Sequence, residues 1–291
     1  MNLSHPPLLR RLARTLRWTR ASTYLMSAFI ALLFLIGYIW WPLVVEYLAT
    51  YDPQVSFWRQ FDWLLLGNFL AMSLLIMANA DLRRDWPVVA VGLAGGLVIE
   101  SWGTQTQLWT YYTQERPPLW IIPAWPIASL SIDRLYRLLR RLTRRLPQGV
   151  FTALHWLILP AFYGLLLFFV RNTFHQSLTR MALLLCAFLI LTNRDRRAVV
   201  LTFIAGSGLG YFLERWGTTR QCWTYYTLQT PPLFAVLAHG MAAVAFWRVV
   251  ELYRIFRPRL RTAVFARFPA LRGGWPTLSG SLPVGEEGEG E

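Results

Sequence analysis

The chain has 291 residues, 55% hydrophobic and 15% charged, with a mean hydropathy of +0.36. An ordinary soluble domain carries about 25% charged residues, so the composition excludes a soluble globular domain as well as disordered, collagen-like and disulfide-rich classes. The net charge of +14 comes from 29 Arg and no Lys, set between apolar stretches. That placement reads as membrane topology and not as a nucleic-acid footprint.

The N-terminus carries a basic stretch, Arg10 to Arg20, followed by a long apolar run from Ala21. No small-residue cleavage site follows at the right distance, so an uncleaved signal anchor is expected. Eight spans are predicted: Ala21–Val45, Phe61–Ala80, Pro87–Ser101, Leu119–Ile132, Phe151–Val170, Leu178–Thr192, Ala198–Leu213 and Pro232–Val250. The fold class expected is therefore all-α, a polytopic transmembrane bundle. With the N-terminus inside, 23 of the 29 Arg fall in cytoplasmic segments. The bias predicts a bacterial-type cytoplasmic (inner) membrane protein with both termini in the cytoplasm. Residues 8–20 and 254–272 mix Arg with Leu, Trp and Phe, which predicts basic amphipathic segments on the inner leaflet. Residues 273–291 are rich in Gly, Ser, Pro and Glu, which predicts disorder.

An internal repeat organises the middle of the chain. Residues 100–119, ESWGTQTQLWTYYTQERPPL, match residues 214–233, ERWGTTRQCWTYYTLQTPPL, at 13 of 20 positions without a gap, at an offset of 114. Upstream, Asn79, Asp81 and Arg83 pair with Asn193, Asp195 and Arg197, and Gly92 and Gly96 with Gly206 and Gly210. Spans two to four and six to eight are thus read as duplicates. The offset crosses four spans, so the copies run parallel. The expected organisation is a basic amphipathic segment (1–20), a first repeat half (21–145), a second repeat half (150–256), and a basic then acidic tail (257–291).

In each copy the third span reads Gly-x-x-x-Gly-x-x-x-Glu, ending at Glu100 or Glu214. Spacing of four places all three residues on one helix face, and small residues there admit a second helix. The glutamates are therefore expected on the packed face, in the outer half of the membrane, where a carboxylate marks a functional site. Structural alternatives are a place in the headgroup layer or hydrogen bonds to the following loop. His239, on the eighth span, is expected at a depth matching Glu214, where it could relay a proton or orient the carboxylate. A packed histidine bonded to backbone is the alternative. Glu100, Glu214 and His239 are the candidate catalytic residues.

The loops behind the glutamates carry Trp102, Trp109, Tyr111 and Tyr112, matched by Trp216, Trp223, Tyr225 and Tyr226. With Trp125 they are the candidate substrate-binding residues, read against an interfacial aromatic belt as the alternative. Gly103 and Gly217 are expected to form tight turns at the helix ends. Pro117–Pro118 and Pro231–Pro232 are expected to open the next spans, and Pro123 and Pro126 to break or kink the fourth. Asp81 and Asp195 are expected to cap helices. Asp133 and His155 have no evident partner, and Asp62 and Asn68 in the second span have no matching polar residues in the sixth. Cys186 and Cys222 indicate neither a disulfide nor a metal site. No nucleotide-hydrolase, zinc-protease or serine-hydrolase motif is present, and no cofactor is called for.

Glu100, Gly103, Trp109, Tyr111 or Tyr112, Pro118, Pro123 and Trp125 form a series that resembles the membrane carotenoid-biosynthesis hydratases acting on acyclic carotenoids, the bisanhydrobacterioruberin hydratase-like family. The resemblance covers about a tenth of the chain, or a fifth with Glu214–Pro232. Around the aromatic, Gln107, Leu108 and Thr110 stand where that family carries glycines. The resemblance implies acid-catalysed chemistry on an isoprenoid, with Glu100 or Glu214 as proton donor and Trp109, Tyr111, Trp223 and Tyr225 lining the site. A carboxyl group in an apolar site keeps its proton more readily and so can act as general acid. The partner expected is a membrane lipid or isoprenoid substrate. A proton-coupled or lipid transporter and a non-catalytic scaffold subunit remain the alternatives.

Overall fold

A computed structural model describes residues 14–267, with side chains to residue 258. The segment expected over 8–20 is therefore described only from residue 14, and the tail from 268 onward lies outside the described residues. The chain divides into a unit ending at Val250 and a second one from Glu251. All packing described below lies within the first; of the second, residues 251–267 are helical.

The elements in order are α1 (Arg20–Ile39), α2 (Trp41–Ala49), α3 (Phe57–Gln60), α4 (Trp63–Met77), α5 (Leu82–Gln105), β1 (Trp109–Tyr111), α6 (Ala124–Leu142), α7 (Gln148–Val170), α8 (Ser177–Thr192), α9 (Arg196–Thr219), β2 (Trp223–Tyr225) and α10 (Leu233–Arg267). Among the described residues, four stretches are long and apolar enough to cross a membrane: Arg20–Ile39, Leu82–Gln105, Gln148–Thr173 and Leu233–Pro258. Helices α4 and α8 are apolar but shorter.

Polar side chains set several helix starts. Thr19 and Ser22 form a reciprocal capping box at α1. Asp62, Asp81 and Asp195 accept backbone N–H groups at the starts of α4, α5 and α9, as the cap reading of Asp81 and Asp195 requires. The first expected span is not continuous. It breaks at Trp40, with Pro42 in the first turn of the following helix, where its missing N–H costs no bond. Pro123 and Pro126 do not kink a helix either. Helix α6 begins only at Ala124, so both prolines sit at its start. Pro231–Pro232 does directly precede α10, whereas α6 starts six residues after Pro118, following a series of turns.

The Gly-x-x-x-Gly faces are packing faces. A Cβ on Gly92 would come within 2.9 Å of Pro126 Cα, and one on Gly96 within 2.4 Å of Trp125 Cγ. In the second copy the same positions meet α10: Gly206 would strike the His239 carbonyl at 2.7 Å and Gly210 the His239 Cβ at 2.6 Å. Absent side chains thus bring α5 onto α6 and α9 onto α10 at matching registers. A buried pair also ties α5 to α6. Arg134 Nη2 meets Asp85 Oδ2 at 2.6 Å and Nη1 meets Asp133 at 2.7 Å, while Arg137 takes Asp133 from the next turn. Asp133 is therefore paired, contrary to the sequence reading.

One feature is not helical. Strands β1 and β2 pair antiparallel, with Trp109 opposite Tyr225 and Tyr111 opposite Trp223. Each strand follows a reversal at the same place, where Gln107 (φ 59°) and Gln221 (φ 55°) take left-handed backbone. The N–H groups of Leu108 and Cys222 then bond the Gly103 and Gly217 carbonyls, both at 2.9 Å. The expected glycine turns are thus corrected: Gly103 and Gly217 lie inside α5 and α9. Their bare Cα atoms make room for indoles, since an added Cβ would sit 1.9 Å from Trp109 Cη2 or 2.0 Å from Trp223 Cη2. Overlap of that size leaves no position for the ring.

Candidate functional site

Glu100 and Glu214 lie in the last turns of α5 and α9, 3% and 4% exposed. Each is held by side chains from the strand behind it and from the next helix. Glu100 Oε2 accepts Trp109 Nε1–H at 3.0 Å, and Oε1 accepts the Tyr111 hydroxyl at 2.9 Å and Trp125 Nε1–H at 3.1 Å. Glu214 repeats the arrangement: Oε2 accepts Trp223 Nε1–H at 2.9 Å, Oε1 accepts the Tyr225 hydroxyl at 2.9 Å, and His239 Nε2 lies 2.9 Å from Oε1. The helix-borne partner is the only chemical difference between the two sets. It is indole at position 125 and imidazole at position 239.

The spacing explains why the chain folds this way locally. Thr104 and Thr218 hydroxyls donate to the Glu100 and Glu214 carbonyls one helical turn back, both at 2.6 Å. After the reversal, alternate strand residues point to one face, so 109 and 111, or 223 and 225, both reach back to their own carboxylate. Pairing of the strands then brings the two sets together. Trp109 lies 5.9 Å from the Tyr225 ring and Tyr111 lies 5.8 Å from the Trp223 ring.

The two sets share a cleft of about 1900 Å³. Both glutamates, Trp109, Tyr111, Trp125, Trp223, Tyr225 and His239 line it, together with an apolar wall from α1, α4, α8 and α10. Sites for drug-sized ligands measure about 300–1,000 Å³, so this space suits a long apolar molecule. Among the described residues no guanidinium is paired with either glutamate, and no cluster of His, Cys, Asp or Glu could hold a metal. Burial, and then the neighbouring glutamates, push the phenols of Tyr111 and Tyr225 far above the ordinary tyrosine value. Both hydroxyls stay protonated and keep donating.

The remaining aromatic candidates do not reach the carboxylates. Trp102 donates to Thr179 at 3.3 Å and meets Trp109 edge-on at 5.9 Å. Trp216 donates to Asp62 at 2.9 Å. Both still line the cleft. The Tyr112 hydroxyl bonds the Ile39 carbonyl, and that of Tyr226 bonds the Phe169 carbonyl at 2.5 Å. These two tyrosines fasten the strand pair to α1 and α7.

Other polar residues also find partners, His155 among them contrary to the sequence reading. Asp62 pairs with Arg220 at 3.0 Å, Asn68 donates to the Phe212 carbonyl, and His155 Nε2 contacts the Ile190 carbonyl at 3.1 Å. Trp40, not singled out in the sequence, lines the cleft against Trp216 (5.0 Å) and Trp120 (5.6 Å). Its only sequence signal is the Trp-Trp-Pro break between α1 and α2.

Comparison with family models, curated proteins and solved structures returns no match for this chain.

Proposed function

We propose that this chain is an eight-span protein of a bacterial-type inner membrane, with both termini cytoplasmic, and that its glutamate centre adds water to an isoprenoid alkene. Helices α1 and α4–α10 supply the eight spans, and the Arg bias sets their direction. The parallel repeat comprises α4–α6 and α8–α10, and the matched hydrogen bonds around Glu100 and Glu214 support it. The cleft then opens in the outer half of the bilayer.

One observation carries the enzymatic reading. Two buried glutamates, neither paired with a guanidinium among the described residues, stand among indoles and phenols on the wall of a large apolar cleft. A carboxylic acid there can pass its proton to an alkene held against it before water is admitted. Protonation of one alkene carbon leaves a cation on its neighbour, which aromatic faces stabilise. Water then bonds to that carbon and returns a proton to the carboxylate, so that alkene plus water gives an alcohol. This is the chemistry of the carotenoid hydratases that the stretch from Glu100 to Trp125 resembles.

The test is mass spectrometry of lipid extracts from a host making acyclic carotenoids. It would express the wild type or the E100Q/E214Q double variant. A product heavier by one water with the wild type alone supports the reading. Identical profiles, with both proteins folded in the membrane, discard it.

A further inference from the structure

We propose that the two glutamate sets divide the work: Glu214 with His239 is the proton-exchanging pair, and Glu100, held by three donors, positions the centre. The inference rests on the reading above for its chemistry, but its evidence is the donor geometry alone.

At Glu100 two of the three partners are indoles, which donate and never accept. A proton arriving on this carboxyl faces Trp109 at Oε2, and Trp125 together with Tyr111 at Oε1. Protonation therefore sets O–H against N–H or forces Tyr111, itself 5% exposed, to turn its hydroxyl away from Glu100. A buried polar group stripped of its partner is costly. The ionised form satisfies all three donors at once. Glu100 thus has no partner that exchanges a proton with it without giving up a hydrogen bond.

At Glu214 the third partner is imidazole. Its Nε2 donates to a carboxylate when it carries a proton and accepts from a carboxylic acid when it does not. The 2.9 Å contact survives in both states, so a proton moves between Glu214 and His239 without loss of a hydrogen bond. The histidine side chain keeps 18% of its surface exposed and lines the cleft, against 5% for Glu214. Protons therefore enter and leave through the imidazole. The groups facing it are Glu214 from α9 and Trp125 from α6. Around the same carboxylates stand Glu100 from α5, Tyr111 from β1 and Tyr225 from β2. In the hydration step, protonated Glu214 gives its proton to the alkene carbon. Glu100 holds its donors in place beside the resulting cation, and the proton that the adding water releases returns to Glu214 through His239.

The experiment is infrared difference titration of the full chain in nanodiscs, following the carbonyl stretch of a protonated carboxyl. The expected signal titrates in the wild type, persists in E100Q and disappears in E214Q. In H239Q, whose amide still donates to Glu214, its midpoint moves by at least about one pH unit, the size of a tenfold change in proton affinity. The W125H variant gives Glu100 the same kind of partner and is expected to add a second titrating carboxyl, which keeps the test usable if E214Q does not fold. Loss of the signal in E100Q overturns the proposal, as does a wild type with no titrating carboxyl or a W125H spectrum like the wild type. The same samples are then given lycopene as probe. The stated infrared pattern without a hydrated product overturns the hydratase reading and leaves the division of the two glutamates standing.

Discussion

Trp125 and His239 stand 114 residues apart in the chain yet lie face to face, with ring centroids 5.7 Å apart and planes inclined by 21°. Each turns a ring nitrogen to the glutamate of its own half, Trp125 to Glu100 and His239 to Glu214. Each also covers a glycine one helical turn before that glutamate, Gly96 or Gly210. The two halves of the centre therefore meet at this stack, and they differ there in whether the ring can carry a mobile proton.

The glycine face gives a stability prediction. G96A and G210A each place a methyl against a ring-bearing side chain at 2.4–2.6 Å, and overpacking of that kind costs about 1–3 kcal/mol. Gly208, on the same helix as Gly210, has nothing within 4 Å of an added Cβ. G208A should keep or raise stability, because alanine is favoured over glycine in a helix by about 1 kcal/mol. Thermal unfolding in detergent checks this. A G96A protein as stable as G208A would contradict the packing described.

The ion pairs should differ sharply. Arg134 and Asp85 are 7% and 1% exposed, whereas Arg220 at Asp62 is 40% exposed. Removing one partner of a buried pair costs about 3–5 kcal/mol, so R134A should unfold far earlier than the wild type. An exposed pair contributes about 0–1 kcal/mol, so R220A should shift the midpoint little. Equal shifts in the two variants would count against the burial of Arg134.

Alkaline stability follows from the buried phenols. Tyr111 and Tyr225 keep their protons in the folded chain above the ordinary tyrosine value of about 10 and release them when unfolded. Above that value the native state binds more protons than the unfolded one, so stability should fall as pH rises. The Y111F/Y225F variant should be less stable at neutral pH, by about 1–3 kcal/mol per lost donor. Its decline with alkali should also be shallower. Unfolding midpoints measured across the alkaline range test both signs.

Cys222 offers a chemical probe of the strand pair. Its thiol is buried beside β2, and burial pushes it up to about 12. The thiolate is the reactive form, so in a C186S background maleimide should label the folded chain very slowly at pH 8 and rapidly after denaturation. Fast labelling of the native protein would mean that the strands part readily.

Much of this site could be read from the sequence because its ingredients are local. The Gly-x-x-x-Gly-x-x-x-Glu spacing places three residues on one helix face whatever surrounds them, and the duplicated loop marks Trp109, Tyr111, Trp223 and Tyr225. The glycines at 103 and 217 were harder to place. Their sequence position suggests turns, but their role depends on where an indole six residues further on comes to lie, and Gln107 and Gln221 supply the reversal instead. The prolines of the fourth span were misread for a similar reason. Proline is disruptive inside a helix and harmless at its start, and only the observed start of α6 at Ala124 decides which applies.

The sequence by itself determined that the chain is apolar and helical, that residues 100–119 match residues 214–233, and which carboxylates share a face with small residues. Periodicity and composition act over a few helical turns and need no knowledge of distant neighbours. The tertiary structure decided that Tyr112 and Tyr226 anchor the strands while Tyr111 and Tyr225 hold the glutamates, since alternate strand residues face opposite ways. It also decided that Asp62 meets Trp216 and Arg220 across more than 150 residues. Above all, it joined the surroundings of Glu100 and Glu214 by pairing β1 with β2 and stacking Trp125 on His239. Contacts of such separation depend on how whole helices pack, and no local pattern encodes that.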